Sequence, residues 1–496
     1  MPAVKEFKMY INGEWCGPNG TFPDFNPATH DVWANIPNAS REDAKVAIDA
    51  AAAAHEAWAA LPHTERAKYL WKAADILEER KQDAISAIVS EAGGWVGKGG
   101  FETGYVASIY RAAAAAAYQV KGEIHASDHH KLSMIVRQPL GVVSVIAPWN
   151  FPMLLSSRGI AVAMAVGNTV VLKPSEETSY TGGLFIAEIF EEAGLPNGVL
   201  NVITCSRDNV EEVGDEMISN PLVKAISFTG STAVGRQIAA KAGYLLKKVS
   251  IEAGGKDVLL VLDDADIGKA VSAATFGTFM HQGQICMSVE RVVVDNSIAD
   301  EFIDRFVKNA QSLGIGDPSQ LGNVIGPIIN QKQLNKIHAQ VKDAVSKGAT
   351  ILTGGTHDGP YYYPTLLTNV TPDMDIYNEE TFGPVAIILK ANGVEDAIRI
   401  ANDSDYGLAS GVMTRDEEKG LDVARRLETG MVHINDSSVN DEPHVPFGGV
   451  KGSGVGRHDG QSSIDTFTEL RWITLERGGR HYPPPFYEKT HNDDSN

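Results

Sequence analysis

The chain has 496 residues, which is long enough for two or three domains, because a single hydrophobic core rarely grows beyond about 250–300 residues. Its composition, 43% hydrophobic and 21% charged, is that of ordinary globular proteins. The 43 basic and 63 acidic residues give a net charge of −20, which repels nucleic-acid phosphates and anionic membrane surfaces, so neither is expected as a partner.

Three cysteines occur in the chain, Cys16, Cys205 and Cys286. They are too few and too scattered for a disulfide framework or a zinc site, so we expect a reduced, cytoplasmic compartment and no bound metal. The first residues lack the apolar core of a signal peptide, and no uninterrupted apolar run approaches the roughly 18 residues of a membrane span. We therefore predict no membrane segment.

The first part of the chain is predicted to be helical and then to alternate between strands and helices. Between residues 41 and 120, Ala and Leu recur among charged residues with helical spacing. Beyond residue 140, short β-branched runs alternate with apolar helical stretches, and this βαβαβ order predicts a parallel sheet with right-handed crossovers. The predicted segments are the helices Asp43–Ala60, Thr64–Arg80, Gln82–Glu91, Ala112–Tyr118, Phe151–Val166 and Tyr180–Ala193, and the strands Val142–Ala147, Thr169–Leu172 and Val199–Ile203.

A second α/β region is predicted from residue 257 onwards. A strand at Ala225–Phe228 precedes it and continues into a glycine-containing turn and a helix. Two further segments, 122–137 and 464–478, have the composition of strands outside both cores and are candidates for an arm that joins subunits. The predicted strands of the second region are Asp257–Leu262, Arg291–Val294, Val385–Leu389 and Gly430–Ile434, and its helices are Ile298–Leu313 and Gln331–Lys347.

The residue types at Cys286 and Glu252 suggest covalent chemistry on a carbonyl group. A thiol can act as the nucleophile and a carboxylate as the base; an inert buried cysteine and a turn carboxylate are the alternatives. Asn150, a side-chain amide beyond the predicted end of a strand, could donate to a developing oxyanion together with the backbone N–H of Cys286. A role in the turn alone is the alternative for Asn150.

Three groups of residues follow predicted strands where a phosphate-bearing ligand could bind. The segment Gly230–Gly235 begins a helix, whose N–H groups attract phosphate, although a plain tight turn is the alternative. Lys173 and Glu176 follow a parallel strand and could contact phosphate or ribose, or form a solvated pair. Glu380 and Phe382 offer a carboxylate and a ring near a cofactor, or belong to an acidic helix start.

Seven motifs stand in the order found in the NAD(P)-dependent aldehyde dehydrogenase superfamily, and the chain resembles this family from about residue 7 to residue 475. One departure is Ala253, where the family usually has Leu. The motifs are Pro148-Trp149-Asn150-Phe151-Pro152, Lys173-Pro174-Ser175-Glu176, Phe228-Thr229-Gly230-Ser231, Glu252-Ala253-Gly254-Gly255-Lys256, Gly283-Gln284-Ile285-Cys286, Glu380-Thr381-Phe382-Gly383-Pro384 and Pro446-Phe447-Gly448-Gly449.

The resemblance implies an α/β aldehyde dehydrogenase fold with three parts. These are a Rossmann-like NAD-binding domain, an α/β catalytic domain that carries Cys286, and a small β oligomerisation arm with a tail. In this chain they correspond, in that order, to 1–121 with 141–252, to 253–440, and to 122–140 with 463–496. Residues 441–462 would form a loop that returns to the active site.

The resemblance also implies roles for the catalytic residues. Cys286 would attack the aldehyde, and Asn150 with the Cys286 N–H would hold the oxyanion of the thiohemiacetal. Hydride transfer to NAD would leave a thioester, and Glu252 would activate the water that releases the acid. On physical grounds, a cation or a helix N-terminus near the thiol would lower its pKa below the usual value of about 8.5.

Cofactor contacts follow from the same resemblance. Lys173 and Glu176 match positions at the adenosine ribose, and Glu380 and Phe382 match positions at the nicotinamide ribose. A carboxylate at Glu176 would repel a 2′-phosphate, so NAD is expected, with NADP as the alternative. The remaining matched positions are Trp149 on the cofactor side, and Gly230, Ser231 and Gly235 near the pyrophosphate.

The motifs around Cys286 and in 439–449 and 471–474 are similar to those of the bacterial aromatic-aldehyde branch, which acts on benzaldehyde, salicylaldehyde or vanillin. A pocket for a flat ring is therefore predicted, for which ordinary core packing is the alternative. Arg158 interrupts an apolar helix and could meet a ring hydroxyl or carboxylate, with a structural salt bridge as the alternative. The other predicted pocket residues are Phe151, Ile285, Met287, Phe447 and Trp95.

Other functions stay open at this point. The same chemistry could act on aliphatic aldehydes or semialdehydes, the acyl group could pass to coenzyme A, or the chain could be a non-catalytic structural protein on this scaffold. The presence of both Cys286 and Glu252 argues against the last, and Glu252 argues for water over coenzyme A. An aldehyde is the expected small-molecule partner, and a homodimer or homotetramer is the expected assembly.

Overall fold

The computed structural model describes residues 4–17, 20–127, 131–480, 482–483 and 485–486. The helix Arg41–Ala60 begins with a capping box: the Ser40 side chain accepts the Asp43 N–H, and the Asp43 carboxylate accepts the Ser40 N–H. The helix Val96–Ala116 is much longer than the predicted segment Ala112–Tyr118. The helices are Arg41–Ala60, His63–Glu79, Lys81–Ala92, Val96–Ala116, Pro152–Ala165, Phe185–Glu192, Val210–Ser219, Thr232–Tyr244, Ile267–Phe279, Ala299–Gln311, Gln331–Ser346, Asp375–Asn378, Val394–Asn402, Glu417–Arg426 and Gly460–Phe467, with a π-helical turn at Tyr180–Leu184.

The first sheet contains eight strands, of which the five in the middle run parallel. The predicted βαβαβ unit is confirmed, because Val142–Ile146, Thr169–Lys173 and Leu200–Val202 are neighbours in that order. Nearly all of their residues are buried, as is usual where helices cover both faces of a parallel sheet. In spatial order the strands are Gly454–Val455, Lys248–Glu252, Val223–Thr229, Val142–Ile146, Thr169–Lys173, Leu200–Val202, Met9–Ile11 and Glu14–Cys16.

The order of the strands reverses in the middle of this sheet. Thr169–Lys173 and Leu200–Val202 lie on one side of Val142–Ile146. Val223–Thr229 and then Lys248–Glu252 lie on its other side. At such a reversal the loops at the carboxyl ends of the strands separate and leave a crevice for a ligand. The residues at these carboxyl ends include Asn150, Lys173, Gly230 and Glu252.

The second sheet contains seven strands, and a separate set of helices packs against it. Six of the strands run parallel, and Thr350–Thr353 at one edge is antiparallel. All four strands predicted for this region are present. In spatial order the strands are Thr350–Thr353, Thr365–Thr368, Val385–Ala391, Arg291–Asp295, Val258–Val261, Ala409–Met413 and Met431–Ile434.

A third sheet lies apart from these two, as predicted for 122–137 and 464–478. Its three antiparallel strands are Glu123–His125, Leu132–Pro139 and Thr468–Leu475. The prediction is wrong for 464–467, which end the helix Gly460–Phe467, because this helical spacing buries both Ile464 and Phe467. Residues 128–130 of the predicted arm, and 481, 484 and 487–496 of the predicted tail, lie outside the described residues.

Shorter strands complete the described part of the chain. None of the helices in that part is both long and apolar enough to cross a membrane. The shorter strands are Lys5–Glu6, Val32–Pro37 and Thr21–Phe25 in one small sheet, and the pairs His357–Asp358 with Tyr361–Tyr362 and Tyr406–Gly407 with Val450–Lys451.

Candidate active site

The segment that carries Cys286 begins with a left-handed turn. His281, Gln282 and Gly283 have φ angles of 49°, 56° and 68°, a backbone region that is unfavourable for residues with a Cβ. The Gln282 side-chain amide stabilises the turn by donating to two backbone carbonyl groups, one of them that of Gly93 at 3.1 Å. Such strain often occurs at functional sites. The segment after the turn brings Cys286, half-buried, onto the wall of a cavity.

Asn150 lies on the loop after the strand Val142–Ile146 and on the same cavity wall as Cys286. It is buried, and its Nδ2 donates to the carbonyl oxygen of Gln284 at 3.0 Å. A side-chain amide has two N–H donors, so this bond uses one and orients the other. Asn150 and Cys286 line the same cavity. This arrangement suits a pair of donors for an oxyanion on an atom attached to the sulfur.

A buried ion pair fixes the chain directly after Asn150. Glu102 Oε1 accepts two backbone N–H groups in the first turn of the helix Pro152–Ala165, at 2.9 and 3.1 Å, where N–H groups have no partner within the helix. Lys98 pairs with the other carboxylate oxygen, and both side chains are fully buried. The sequence interpretation missed this pair, although opposite charges four residues apart are a signal of it.

We expect Lys98→Met to lower the free energy of unfolding by about 3 kcal/mol, because it leaves the Glu102 carboxylate buried without its counter-charge. The shift of the urea midpoint measures this loss. Lys68→Met is the matched control: Lys68 pairs with Glu65 on the surface, where both side chains are largely exposed, and its loss should leave the midpoint nearly unchanged. Equal midpoints for the two variants would contradict the assignment.

Glu252 ends the strand Lys248–Glu252 and is buried. Burial raises the pKa of Glu252 to about 7, although hydrogen bonding from the Cys286 thiol and the positive charge of Arg158 act in the opposite direction. Its Oε1 has no hydrogen-bond partner among the described residues. A carboxylate with a pKa near 7 is partly ionised at neutral pH and accepts a proton readily, so Glu252 has the properties of a general base.

The thiol of Cys286 is held in its protonated form in this arrangement. Burial, and after it the charge of Glu252, raises the pKa of Cys286 well above its ordinary value. A cation does lower this pKa, as expected, since Arg158 acts in that direction, but burial and Glu252 outweigh it, so the net pKa lies above the usual value and not below it. A thiol in this form must give its proton to a base when it attacks, and the carboxylate with which the thiol interacts is that of Glu252.

The raised pKa of Glu252 predicts how turnover depends on pH. A base acts only when it is unprotonated, so kcat should fall by up to about tenfold for each pH unit below a pKa of about 7 and level off above it. A profile of kcat from about pH 5.5 to about pH 9 measures this limb. A wild-type profile that is flat across the acid range would contradict the assignment of Glu252 as the base.

Lys173 and Glu176 lie at and just after the carboxyl end of the strand Thr169–Lys173. Lys173 is buried, and its Nζ donates to the carbonyl oxygen of Pro174 at 3.0 Å. Glu176 is half-buried, and one of its carboxylate oxygens lies 3.5 Å from Nη1 of the exposed Arg207. A carboxylate at this edge of a parallel sheet is suited to accept hydrogen bonds from ribose hydroxyls.

Gly230 and Ser231 join the same edge of the sheet to a helix. The Gly230 N–H donates to the carbonyl oxygen of Glu252 at 3.1 Å, which ties this turn to the strand of the base. Ser231 is the N-cap of the following helix. Gly235 is buried and allows the helix to approach the sheet, since a Cβ there would lie 2.9 Å from a methyl carbon of Ile251.

Glu380 and Phe382 lie on a loop that faces the same crevice from the second sheet. Glu380 Oε1 accepts the Gly255 N–H at 3.0 Å. The ring of Phe382 meets that of Trp149 edge to face, with centroids 5.3 Å apart at 87°. Glu290, which the sequence interpretation missed, orders the loop by accepting the Phe382 N–H at 2.8 Å. The eight cofactor candidates thus lie around the crevice and outside the lining of the cavity.

A cavity of about 620 Å³ adjoins Cys286, and its wall is largely aromatic and aliphatic. Its size and lining suit a substituted aromatic ring. The six predicted pocket residues all lie on this wall: Trp95, Phe151, Arg158, Ile285, Met287 and Phe447. The sequence interpretation missed other apolar members of the wall, among them Phe101, Leu154, Leu155, Phe276, Phe279 and Met280.

Arg158 is almost completely buried in a network of ion pairs. Its Nε donates to Asp459 Oδ2 at 2.8 Å, its Nη2 pairs with Asp441, and its guanidinium carbon lies 4.0 Å from the centroid of the Phe447 ring. The structural salt bridge that was the alternative for Arg158 is therefore present. A direct contact between Arg158 and a substrate stays a prediction, because such a contact would have to share the guanidinium with two carboxylates.

A cysteine thiol interacts with a buried carboxylate beside the crevice at the carboxyl ends of the parallel strands. The model of the aldehyde dehydrogenase family matches residues 15–473, and the chain belongs to this family. It is therefore an enzyme that oxidises an aldehyde to the carboxylic acid with NAD(P). The site fits that cofactor, because a capped helix N-terminus, a carboxylate for ribose hydroxyls and a pair of aromatic rings surround the crevice.

Three similar proteins show how near the resemblance is. A benzaldehyde dehydrogenase named for NAD(+), from Pseudomonas putida, is 44% identical over 460 residues, which cover 92% of this chain and 94% of that protein. A vanillin dehydrogenase from Pseudomonas sp. (strain HR199 / DSM 7063) is 43% identical over 480 residues, which cover 96% of this chain and 99% of that protein. The crystal structure of a salicylaldehyde dehydrogenase from Pseudomonas putida G7, complexed with salicylaldehyde, is 43% identical, with a TM-score of 0.94 over 97% of this chain and 100% of that chain.

Proposed function

We propose that the enzyme oxidises aromatic aldehydes of the benzaldehyde, salicylaldehyde or vanillin type, and that it prefers NAD. The main support for this proposal is the cavity beside Cys286, whose wall includes the rings of Trp95, Phe101, Phe151 and Phe447. Flat rings bind well between such side chains. The names of the similar proteins support the same substrate class, since each names an aromatic aldehyde.

In the proposed first step Cys286 attacks the aldehyde carbon. Its raised pKa means that the proton must leave as the bond forms, and Glu252 receives it. The carbonyl oxygen becomes an oxyanion, and the Asn150 amide with the Cys286 N–H donates to it. The bond of Asn150 to Gln284 and the ion pair beneath it hold that amide in place, so little reorganisation is needed when charge develops.

The second half of the reaction releases the acid. A bound nicotinamide would supply the hydride acceptor that this oxidation requires, and Cys286 would then hold the acyl group as a thioester. Lys173, Glu176, Gly230, Ser231 and Gly235 would hold the adenosine and phosphate end, and Trp149, Glu380 and Phe382 the nicotinamide end. Glu252 must first release the thiol proton to solvent, and it can then take a proton from a water that attacks the thioester; its pKa near 7 is suited to both proton transfers.

The coenzyme preference is proposed to depend on Glu176. Replacing Glu176 by Gln should raise kcat/KM for NADP by about tenfold, because the carboxylate that repels a 2′-phosphate is lost while the nearby Arg207 remains. The kcat/KM for NAD should fall, since the ribose hydroxyls lose a charged acceptor. Initial rates with each coenzyme at one saturating aldehyde measure the ratio, and an unchanged ratio would remove Glu176 from coenzyme selection.

A panel of aldehydes tests the proposed substrate class. Benzaldehyde, salicylaldehyde, vanillin, propanal and succinic semialdehyde are each assayed with NAD and with NADP, following the absorbance of the reduced coenzyme. The aromatic aldehydes should have kcat/KM values at least about tenfold above the others, as expected of an apolar cavity that fits a ring. Higher values for propanal or for the semialdehyde would contradict the proposal and favour the aliphatic alternative.

We also propose the division into domains stated above, with 1–121 and 141–252 binding NAD and 253–440 carrying the nucleophile. The third sheet, from 122–140 and the part of 463–496 that includes Thr468–Leu475, is proposed to join subunits of a homodimer or homotetramer. Exposed apolar side chains on this sheet support the second point: Ile124, Trp472, Leu470 and Leu475 are 79%, 72%, 54% and 47% exposed. A cytoplasmic location is proposed from the three unpaired cysteines.

A further inference from the structure

A second buried ion pair connects the segment of the proposed base with that of the proposed nucleophile. Lys256 follows Glu252 by four residues, and Glu290 follows Cys286 by four. Lys256 Nζ donates to Glu290 Oε2 at 2.6 Å, and both side chains are buried. Removing two charges from water is costly unless further hydrogen bonds satisfy them. None of the steps proposed above uses this pair.

The further hydrogen bonds of Glu290 go to the loop 379–384, which carries Glu380 and Phe382. Glu290 Oε1 accepts the Thr381 and Phe382 N–H groups at 2.9 and 2.8 Å, and its Oε2 accepts the Thr381 N–H at 2.8 Å. Hydrogen bonds to an ionised acceptor are roughly twice as strong as those between neutral groups. The carboxylate therefore holds two successive N–H groups of the loop firmly.

The backbone of Phe382 needs such contacts. Its φ of 56° lies in the left-handed region, which is unfavourable for residues with a Cβ. Residues in such conformations persist only where the surroundings fix them. Glu290 binds the Phe382 N–H, and Gln333 Nε2 donates to the Phe382 carbonyl oxygen at 2.9 Å. In this conformation the Phe382 ring meets that of Trp149 at the crevice.

We infer that Glu290 is a positioning residue: by holding the Thr381 and Phe382 N–H groups, it places Glu380 and Phe382 for the nicotinamide end of NAD. This inference rests on the proposed assignment of Glu380 and Phe382 to that end. Glu290 itself is 2% exposed, and its carboxylate is already bound by Lys256 and the loop. It therefore acts through the loop and not by contact with the cofactor.

Glu290→Gln tests the inference in the full-length enzyme. The amide keeps one acceptor oxygen, but its NH₂ group can accept neither a loop N–H nor the Lys256 ammonium. Calorimetric titration of the variant should give a Kd for NAD about tenfold above that of the wild type, because the loop is no longer preorganised. The KM for the aldehyde should stay within about threefold, since neither Glu290 nor the loop lines the cavity.

A second variant covers the case in which Glu290→Gln does not fold with Lys256 left unpaired. The double variant Lys256→Met with Glu290→Gln removes both charges together, so that no charge is buried alone. Its Kd for NAD should also rise about tenfold, because the loop again lacks the carboxylate.

Asp264→Asn is the matched control. Asp264 Oδ2 also accepts two successive backbone N–H groups, those of Arg415 and Asp416 at 3.1 and 3.0 Å, and the carboxylate pairs with Lys419. The loop that it holds carries none of the residues assigned to the cofactor. The Kd for NAD should therefore equal that of the wild type. An equal rise in Kd for Asp264→Asn and Glu290→Gln would overturn the inference, because general destabilisation would then explain both.

Glu380→Gln and Phe382→Ala separate the inference from the assignment on which it rests. If these two variants weaken NAD binding and Glu290→Gln does not, the positioning role of Glu290 alone is overturned. If neither of them changes the Kd for NAD, the assignment of Glu380 and Phe382 is overturned, and the inference fails with it.

Discussion

Cys286→Ser should lower kcat/KM for any aldehyde substrate by more than about 1000-fold. A serine hydroxyl is a far weaker nucleophile than a thiol, and the pKa of Glu252, about 7, is too low for it to deprotonate an alcohol efficiently. Initial rates at saturating NAD measure the loss. Calorimetric titration with NAD should give an unchanged Kd, because the residues assigned to the cofactor lie around the crevice and outside the cavity lining.

Cys16→Ser is the matched control for this variant. Cys16 lies in the edge strand Glu14–Cys16 of the first sheet and is half-buried, away from the cavity lining. The same chemical change there should leave kcat/KM within about twofold of the wild type. Turnover by Cys286→Ser close to that of Cys16→Ser would contradict the assignment of Cys286 as the nucleophile.

Glu252→Gln should lower steady-state turnover by about 1000-fold while the first turnover still occurs. An amide cannot accept the proton of the attacking water, so the thioester accumulates. Stopped-flow absorbance should therefore show a burst of about one reduced coenzyme per subunit, followed by a very slow phase. The burst itself should be slower than in the wild type, because Glu252 also takes the proton of the thiol.

Two results would revise the role of Glu252. If Glu252→Gln lost the burst as well as steady-state turnover, Glu252 would be assigned only to the removal of the thiol proton. The base that activates water would then be unassigned. Formation of acyl-coenzyme A by the wild type in the presence of coenzyme A would show that water is not the only acyl acceptor. The buried carboxylate beside the sulfur favours water, since it can remove a proton from it at neutral pH.

The parallel sheets could be predicted from the sequence because each strand is a short β-branched run with a helix on either side. Val142–Ile146 and Thr169–Lys173 are examples whose bounds differ from the predicted ones by one residue. The helix Val96–Ala116 was predicted only from Ala112, since its first turns contain several glycines, which lower helix propensity. Packing overrides that propensity: Gly99 lies against Ile85 of the neighbouring helix.

Cys286 and Glu252 could be proposed as nucleophile and base from the sequence because their motifs are local. The groups that shift the pKa values of Cys286 and Glu252 could not be predicted, since their partners are distant along the chain. Arg158, for example, pairs with Asp441 and Asp459, 283 and 301 residues away. The raised pKa of Cys286 is a consequence of burial, which no local pattern reveals.

Mass spectrometry of the acylated enzyme shows directly whether Cys286 carries the acyl group. Glu252→Gln is mixed with NAD and benzaldehyde, quenched in acid and digested, and the peptides are mapped. The expected result is that the peptide containing Cys286 gains the mass of one benzoyl group and that omission of NAD abolishes the gain, because the acyl level is reached only after hydride transfer. An acyl group on any other residue, or an unmodified Cys286 after the burst of reduced coenzyme, would contradict it.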